Sequence, residues 1–486
     1  MNTIDLPNIV YILADDLGYG DVSCLNPESK IQTPHLDRMA SEGMVFTDAH
    51  SNSAVCTPTR YGILTGRYAW RTRLQRGVLF GFDRPLIEPE RLTVPQLLKE
   101  KGYHTGCVGK WHLGLGWIRK DGLPIVQDVT IHDPGVDYTV PLTVSPNDFG
   151  FDYYFGISAS LDMAPYVYIE NHRLTEQPDH ETEGKPFPEN WRRGPTAPDF
   201  RQEEVLTRLT EKAIGYIEER ACETPRQPFF LYFPLSAPHT PLLPAPEFQG
   251  KSNAGIYGDF VMQTDHVVGQ VLETLKRTGL DQNTLVIVTS DNGSTMTNHA
   301  PFAQYDHATN YHFRGQKSDA WDGGHRIPFI ARWGKEIAPG TTCSELICLT
   351  DLLATCADLT GTDLAENEGE DSVSILPLLR GETGAVRDFV VHHSIDGKFA
   401  LRQGDWKLVH CKGSGGWTQP DEKAPEDAPP AQLYHMGEDV GESRNRFTDN
   451  PQKVRELLAL LDRVRNQSRS VPRFRAQNSL PEDAAE

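Results

Sequence analysis

The chain has 486 residues, of which 38% are hydrophobic and 23% charged, and its formal net charge is −20. This length suits a large α/β domain with a smaller domain attached, and no apolar run is long enough to cross a bilayer. The acidic balance argues against nucleic acid or an anionic membrane as a partner, so an anionic substrate would have to be captured by local cations.

The first residues carry no export signal. Residues 1–7 lead directly into an apolar strand, without a charged n-region, an apolar h-region or a small-residue cleavage site. The sequence as written therefore predicts a cytoplasmic protein, or a periplasmic or secreted one if an export signal has been removed.

The first predicted strand covers residues 8–14 and ends at two adjacent acids. Its continuous apolar run is typical of a central parallel strand, and Asp15 and Asp16 follow it at once. Two neighbouring carboxylates repel each other unless a cation lies between them, and this end of a strand is where ligands bind in open α/β sheets. A solvated turn closed by Gly18 is an equally good interpretation.

The segment 51–66 predicts a loop that runs into a short helix. Hydroxyl residues occupy the N-cap region, Pro58 suits the first turn and Gly66 suits the end. Cys56 would lie at the helix N-terminus, where the dipole favours a thiolate or a bound anion, and Arg60 adds a positive charge one turn later. A buried structural cysteine before an ordinary helix is the alternative.

Basic residues follow two later strands. Lys110 and His112 are two residues apart at the end of a predicted strand, so both side chains can face one ligand. His239 lies in a loop stiffened by prolines, directly after the buried strand of residues 228–233.

Oxygen donors recur at the end of a second central strand. Residues 285–290 form this apolar run, and Asp291 and Asn292 follow it. Together with the two acids after the first strand they form a set of hard ligands, which is typical of calcium or magnesium and not of zinc.

The remaining pattern predicts helices around the sheet and a change of architecture near residue 380. Helices are expected at 33–43, 92–101, 204–220 and 257–278, short antiparallel strands at 389–393, 398–402 and 406–409, and a last helix at 451–465. We expect a catalytic α/β domain at 1–380, an α+β subdomain at 381–470 and a disordered tail at 471–486.

The sequence Cys-Thr-Pro-Thr-Arg at 56–60, followed by Leu-Thr-Gly-Arg at 64–67, resembles the signature of the type I, formylglycine-dependent sulfatases. The segments described above complete that family's pattern in the same order. Residues 109–114 and 321–324 are similar to bacterial arylsulfatase A-like and N-acetylgalactosamine-6-sulfatase-like enzymes. The resemblance implies an alkaline-phosphatase-like fold: a mixed, mostly parallel sheet sandwiched by helices, with a smaller C-terminal antiparallel sheet plus helix.

The resemblance also implies roles for individual residues. The catalytic residues would be Cys56, Arg60, Lys110, His112, His239 and Lys317, and the metal ligands would be Asp15, Asp16, Cys56, Asp291 and Asn292. The ion would be Ca²⁺, with Mg²⁺ as an alternative, and a formylglycine-generating enzyme would oxidise Cys56 to 3-oxoalanine (formylglycine). Thr59 stands where serine is commoner in the family and keeps the hydroxyl.

The implied reaction is hydrolysis of a sulfate monoester, which we expect to be on a carbohydrate. One hydroxyl of the hydrated aldehyde would attack sulfur, with help from Asp291, to form a sulfo-enzyme, while Lys317 and His239 assist the leaving alcohol. His112 would then deprotonate the second hydroxyl and expel sulfate. The cation and the basic side chains would neutralise the sulfate oxygens.

Two other functions stay open on the sequence. A phosphodiesterase or phosphonate monoester hydrolase of the same superfamily would share the aldehyde and the metal, whereas a non-catalytic binder of sulfated glycans would leave Cys56 unoxidised. The partner in each case is a small molecule or glycan. The candidate substrate-binding residues are Asp162, Tyr166, His307 and His312.

Overall fold

A computed structural model describes residues 6–127, 130–296, 300–418 and 427–476. The strands are β1 (Asn8–Asp15), β2 (Met44–Phe46), β3 (Ala49–His50), β4 (His104–Lys110), β5 (Tyr153–Ile157), β6 (Ile169–Glu170), β7 (Arg173–Leu174), β8 (His180–Thr182), β9 (Gly194–Thr196), β10 (Phe229–Pro238), β11 (Thr284–Ser290), β12 (Phe329–Arg332), β13 (Thr341–Cys343), β14 (Ile347–Cys348), β15 (Phe389–His393), β16 (Phe399–Gln403), β17 (Trp406–Val409) and β18 (Gln432–His435). The helices are α1 (Pro34–Glu42), α2 (Cys56–Thr65), α3 (Val94–Glu100), α4 (Val205–Cys222), α5 (Gly255–Arg277), α6 (Ala300–Ala303), α7 (Asp322–His325), α8 (Leu352–Leu359), α9 (Leu376–Leu379) and α10 (Pro451–Asn466).

One large mixed sheet organises the chain. Its described strands run in the order β13-β2-β12-β11-β1-β10-β4-β5-β6-β7. The central five, β11-β1-β10-β4-β5, are all parallel, while β12 pairs antiparallel with both of its neighbours. Strands β1, β10 and β11 are buried along their whole length, as their continuous apolar runs require.

Two groups of helices flank this sheet. Helix α5 packs on α1 and α4, and these three helices cover β10, β4 and β12, whereas α2, α3 and α8 form the second group. The long amphipathic helices α4 and α5 turn their apolar residues inward, because those residues recur at helical spacing. The predicted sheet sandwiched by helices is therefore confirmed.

The C-terminal part forms a separate antiparallel sheet, β15-β16-β17-β18, with α10 packed on β16 and β17. Its core is a small cluster of apolar side chains that includes Val391, Leu401, Leu408, Leu457 and Leu461. This confirms the predicted fold of the C-terminal region. Of the predicted tail, Ala476 N donates to Asp363 Oδ1 at 2.7 Å, and residues 477–486 lie outside the described residues. The domain division stays a prediction.

The structure differs from the sequence-based expectations in three places. Strand β10 continues through Pro238 instead of ending at Phe233. The short strands β2, β12 and β13, at one edge of the sheet, carry no periodicity that would have revealed them. Helix α2 begins at Cys56 with Val55 as its N-cap and without a side-chain cap, so the expected hydroxyl cap is wrong.

Within the described ranges, none of the helices is both long and apolar enough to span a membrane.

Candidate active site

The site begins where β1 and β11 end side by side. The two strands are parallel and Ala14 lies opposite Ser290, so the acids that follow each strand emerge together. Asp16 N donates to Asp291 Oδ1 at 3.2 Å, and Asn292 Nδ2 donates to Asp16 Oδ1 at 2.6 Å. Asp16 has a φ of 67°, a left-handed conformation that a non-glycine residue holds only when its surroundings require it.

Each of the three buried carboxylates faces a cation. Lys110 Nζ lies 2.6 Å from Asp15 Oδ2, and Lys317 Nζ lies 2.7 Å from an oxygen of Asp16. The Arg60 Nη2 atom lies 2.7 Å from Asp291 Oδ2. Three negative charges are thus offset by three positive ones, so an added divalent cation would leave the site with the positive charge that an anionic ester needs.

The pKa values of Asp15 and Asp291 are driven apart. Burial opposes ionisation of Asp15, yet Lys110 holds its pKa well below the usual range. Burial, followed by the charge of Asp15, raises the pKa of Asp291 to about 6. Such opposed shifts in adjacent carboxylates are typical of functional sites.

The oxygen donors fit a hard divalent cation. Asp15 Oδ1 and Asn292 Oδ1 are buried and have no hydrogen-bond partner among the described residues. A buried oxygen without a partner is costly, and a cation would satisfy both atoms. Cys56 Sγ lies in the same cluster, since the ligand atoms of Asp15, Cys56 and Asp291 all lie within 4.8 Å of one another.

Cys56 is the first residue of α2 and is 3% exposed. All residues of 51–65 are buried, and Asn52 Nδ2 holds the loop by donating to Pro58 O at 2.9 Å. Burial raises the pKa of the Cys56 thiol, although Lys110 and Lys317 oppose the shift. Burial therefore opposes the thiolate that a helix N-terminus would otherwise favour.

Two histidines of the predicted set have defined tautomers. His112 Nε2 must donate to Leu79 O, 2.7 Å away, so Nδ1 carries a lone pair and has no partner in the described structure. Burial lowers the pKa of His112 well below its ordinary value, which keeps the ring neutral. His239 Nδ1 contacts Thr240 O at 2.5 Å, which leaves Nε2 3.7 Å from Asp16 Oδ2. Both rings can therefore exchange a proton at a known nitrogen.

A cavity of about 410 Å³ opens over this centre. The cavity is lined by Asp16, Cys56, His239 and Lys317, so the candidate cation site and the predicted nucleophile face the same cavity. Its volume lies in the usual range for small-molecule sites, about 300–1,000 Å³. A larger cavity of about 910 Å³, near the start of α4, is lined by none of these residues.

The predicted substrate-binding residues are dispersed. Asp162 lines the cavity over Cys56. Tyr166 is buried, and its hydroxyl donates to Arg192 O at 2.6 Å. His307 Nε2 contacts Asp21 Oδ1 at 2.8 Å and lines a different cavity, while His312 packs against Tyr311. The part of each of these residues in substrate binding stays a prediction.

Three further side chains lie near the centre, and sequence reasoning did not single out one of them, Trp417. Ser160 Oγ lies 2.9 Å from Lys110 Nζ and 3.4 Å from His239 Nε2, and so links two predicted catalytic residues. Arg192 pairs with Asp162, and Trp417 comes from the C-terminal region; both line the cavity. A tryptophan in a polar, glycine-rich loop was the one available signal.

A second cluster, of three buried histidines, supports the loop before Cys56. His50 Nδ1 lies 3.0 Å from His325 Nδ1, and His392 Nδ1 donates to Ser51 O at 2.9 Å. The rings of His325 and His392 stack at 3.7 Å with an angle of 11°. A metal ion must lie in the plane of each ring that binds it, so two stacked rings cannot share one ion. Lys407 Nζ, 3.3 Å from His325 Nε2, also opposes a cation there.

We expect the protein to lose stability as the pH falls below about 6.5. Burial lowers the pKa of His325 and of His392 well below the ordinary value, so the unfolded chain takes up protons that the folded chain does not. The free energy of unfolding should fall by about 1.4 kcal/mol per pH unit for each of these histidines. Melting temperatures between pH 7.5 and 5.5 would measure it. His392→Asn should make the melting temperature depend less on pH, whereas His172→Asn, at an exposed position, should not change that dependence. The same pH dependence in the wild type and both variants would refute the role given to the buried histidines.

Comparisons with known proteins place these features in context. A family model described as Sulfatase matches residues 7–362. An N-acetylgalactosamine-6-O-sulfatase of Bacteroides thetaiotaomicron is 33% identical over 500 residues, which cover 94% of this chain and 93% of the relative. Arylsulfatase A of Homo sapiens is 31% identical over 492 residues, which cover 94% and 87%.

The fold also matches solved structures. One, from work on the metabolism of multiple glycosaminoglycans by Bacteroides thetaiotaomicron, has a TM-score of 0.83 at 31% identity and covers 96% of this chain and 100% of that chain. The sulfatase PsFucS1 from Pseudoalteromonas sp. has a TM-score of 0.71 at 24% identity, with 95% and 91% covered.

Proposed function

This chain belongs to the sulfatase family and is a sulfuric ester hydrolase, and from this premise we propose that it removes sulfate from a carbohydrate. We propose further that residue 56 acts as formylglycine and that the bound ion is calcium. The observation that carries the proposal is the shared cavity of Cys56, Lys317 and His239 beside the unpartnered carboxylate and amide oxygens.

When bound, the cation would act as a Lewis acid. The hydrated aldehyde would supply a nucleophile that carries two hydroxyl groups. Asp15, Asp16, Asp291 and Asn292 would hold the cation. Lys317 and Lys110 lie beside their carboxylates and would neutralise the oxygens of the ester at short range. Arg60 fixes the orientation of Asp291 through two hydrogen bonds, from Nε at 3.1 Å and Nη2 at 2.7 Å.

Proton transfers fall to the two histidines. His239 reaches the cavity, and because Nδ1 is turned to Thr240 O, Nε2 is the nitrogen that would protonate the leaving alcohol. Lys317 is the second candidate acid, but Asp16 raises its pKa against the effect of burial, so it serves better as a fixed charge. His112 is neutral and carries its lone pair on Nδ1, as a base that releases sulfate must.

The choice of calcium and of a carbohydrate rests on two observations. Four side chains with carboxylate or amide oxygens converge on one point. Mg²⁺ usually takes fewer ligands from the protein and keeps several waters, so this set favours calcium. A relative that covers 94% of this chain is named for a sulfate on N-acetylgalactosamine, and a structural neighbour comes from work on glycosaminoglycan metabolism. We propose an N-acetylhexosamine 6-sulfate as the first substrate to test.

The experiment is to produce the protein beside a formylglycine-generating enzyme, to measure the mass of the peptide that holds residue 56, and to assay sulfate release. We expect a mass loss of about 18 Da, the thiol-to-aldehyde change, and release of sulfate from the sugar. Activity should disappear with a chelator and return with Ca²⁺ more fully than with Mg²⁺.

Different failures have different meanings. An unmodified thiol in competent cells would refute the formylglycine proposal. Release of sulfate from aryl sulfates alone would refute the carbohydrate substrate. Faster turnover of a phosphodiester than of any sulfate ester would favour the phosphodiesterase alternative.

A further inference from the structure

An exposed aromatic side chain, that of Trp417, lines the active-site cavity. Trp417 lines it with 51% of its surface exposed, and among the large apolar side chains that the described residues expose, only this one lines the cavity. An indole face left in water is costly, so its position next to Cys56 and Lys317 indicates a ligand with an apolar face.

The loop that carries Trp417 is fixed to the segment that carries Lys317. Trp417 N donates to Ser318 Oγ at 2.8 Å, and Ala320 N donates to Ser414 O at 2.7 Å. A Cβ at Gly416 would lie 2.4 Å from Ser318 O, so only glycine allows this approach. The backbone of Trp417 is therefore held at a set position relative to the segment that carries Lys317.

Another part of the cavity wall is polar without a net charge. Asp162 forms an ion pair with Arg192, which also lies over the Phe80 ring at 5.5 Å. Asp162 Oδ1 is buried and has no hydrogen-bond partner within the described structure. Because Arg192 is neutralised, this wall suits hydroxyl groups better than a second anion.

We propose that Trp417 and the Asp162–Arg192 pair form a subsite for the pyranose ring that bears the sulfate, with the ring stacked on the indole and a hydroxyl donating to Asp162. An apolar ring face beside polar hydroxyls is the chemistry that distinguishes a sugar from a simple alkyl sulfate. The inference rests on the proposed function, because it assumes that the sulfate group lies at Cys56 and Lys317.

Kinetics on two substrates test the subsite. Trp417→Ala should lower kcat/KM for an N-acetylhexosamine 6-sulfate about ten-fold or more, mainly through KM, and Trp417→Phe should restore most of it. Turnover of ethyl sulfate, which has no ring, should change less than about two-fold. Leu123→Ala, at an exposed apolar residue outside the cavity, is the matched control and should leave both unchanged. Equal losses on the two substrates, or no loss on the sugar, would overturn the subsite.

A binding measurement tests the subsite independently of the proposed reaction. In a Cys56→Ala background, calorimetry should show that Trp417→Ala weakens binding of the sulfated sugar about ten-fold. If the wild-type protein hydrolyses no sulfate ester but this difference persists, the subsite stands and the proposed function fails. If the Cys56→Ala protein does not bind the sugar at millimolar concentration, or binds it equally with and without the indole, the subsite is wrong.

Discussion

Replacing Cys56 with alanine is expected to abolish sulfate release, with a loss of kcat on the order of 10⁴-fold or more. The side chain lies at the start of α2, within reach of the ligand atoms of Asp15 and Asp291, and supplies the carbon that would become the aldehyde. Alanine removes the nucleophile without filling or emptying the core, so the melting temperature should change little. Sulfate release and thermal unfolding, measured on the same preparation, would check both statements.

Cys56→Ser gives the sharper version of this experiment. A serine hydroxyl can attack sulfur, but it lacks the second hydroxyl through which sulfate would leave, so we expect one turnover and a mass gain of about 80 Da on the protein. Cys222→Ala, at an exposed cysteine, should behave as the wild type. Sustained turnover by Cys56→Ala would remove residue 56 from the mechanism.

Asp291→Asn is expected to lower kcat/KM about 10²–10³-fold and to weaken binding of the cation. The substitution keeps the shape of the side chain but removes a negative charge between the cation site and Arg60. Because Arg60 is fully buried, loss of its charged partner should also destabilise the fold by about 3–5 kcal/mol. Calcium titration, kinetics and thermal unfolding would report the three effects separately.

Asp371→Asn separates stability from catalysis. Asp371 is fully buried and pairs with Arg71 at 2.8 Å, among residues that do not line the catalytic cavity. This variant should be less stable than the wild type and should keep its kcat. If Asp291→Asn lost only stability, as Asp371→Asn should, Asp291 would be a structural residue.

The central strands were predictable because their sequence pattern leaves little choice. A short apolar run bounded by polar residues, such as 285–288, favours a buried strand, and parallel strands bring their carboxyl ends to one edge. That rule is sufficient to predict that Asp15, Asp16, Asp291 and Asn292 lie together.

Features that depend on distant contacts were not predictable. Arg192 meets Asp162 across a separation of 30 residues, and Trp417 reaches the cavity from a region that forms its own sheet. Strand β12 is four residues long and pairs with β2 and β11, so its existence depends on partners far along the chain. The missing side-chain cap of α2 has the same origin, because Ser53 Oγ bonds His393 O instead.

The complete burial of residues 51–65 has a consequence for the order of events in the cell. In the maturation that we propose, the enzyme that oxidises Cys56 would have to bind the surrounding peptide, and it could not do so once this segment has packed against β15 and α7. Oxidation and folding would then compete in time, and the fraction of active molecules would depend on the ratio of the two rates. Slower folding, for example at lower temperature, lengthens the interval in which the nascent segment is accessible.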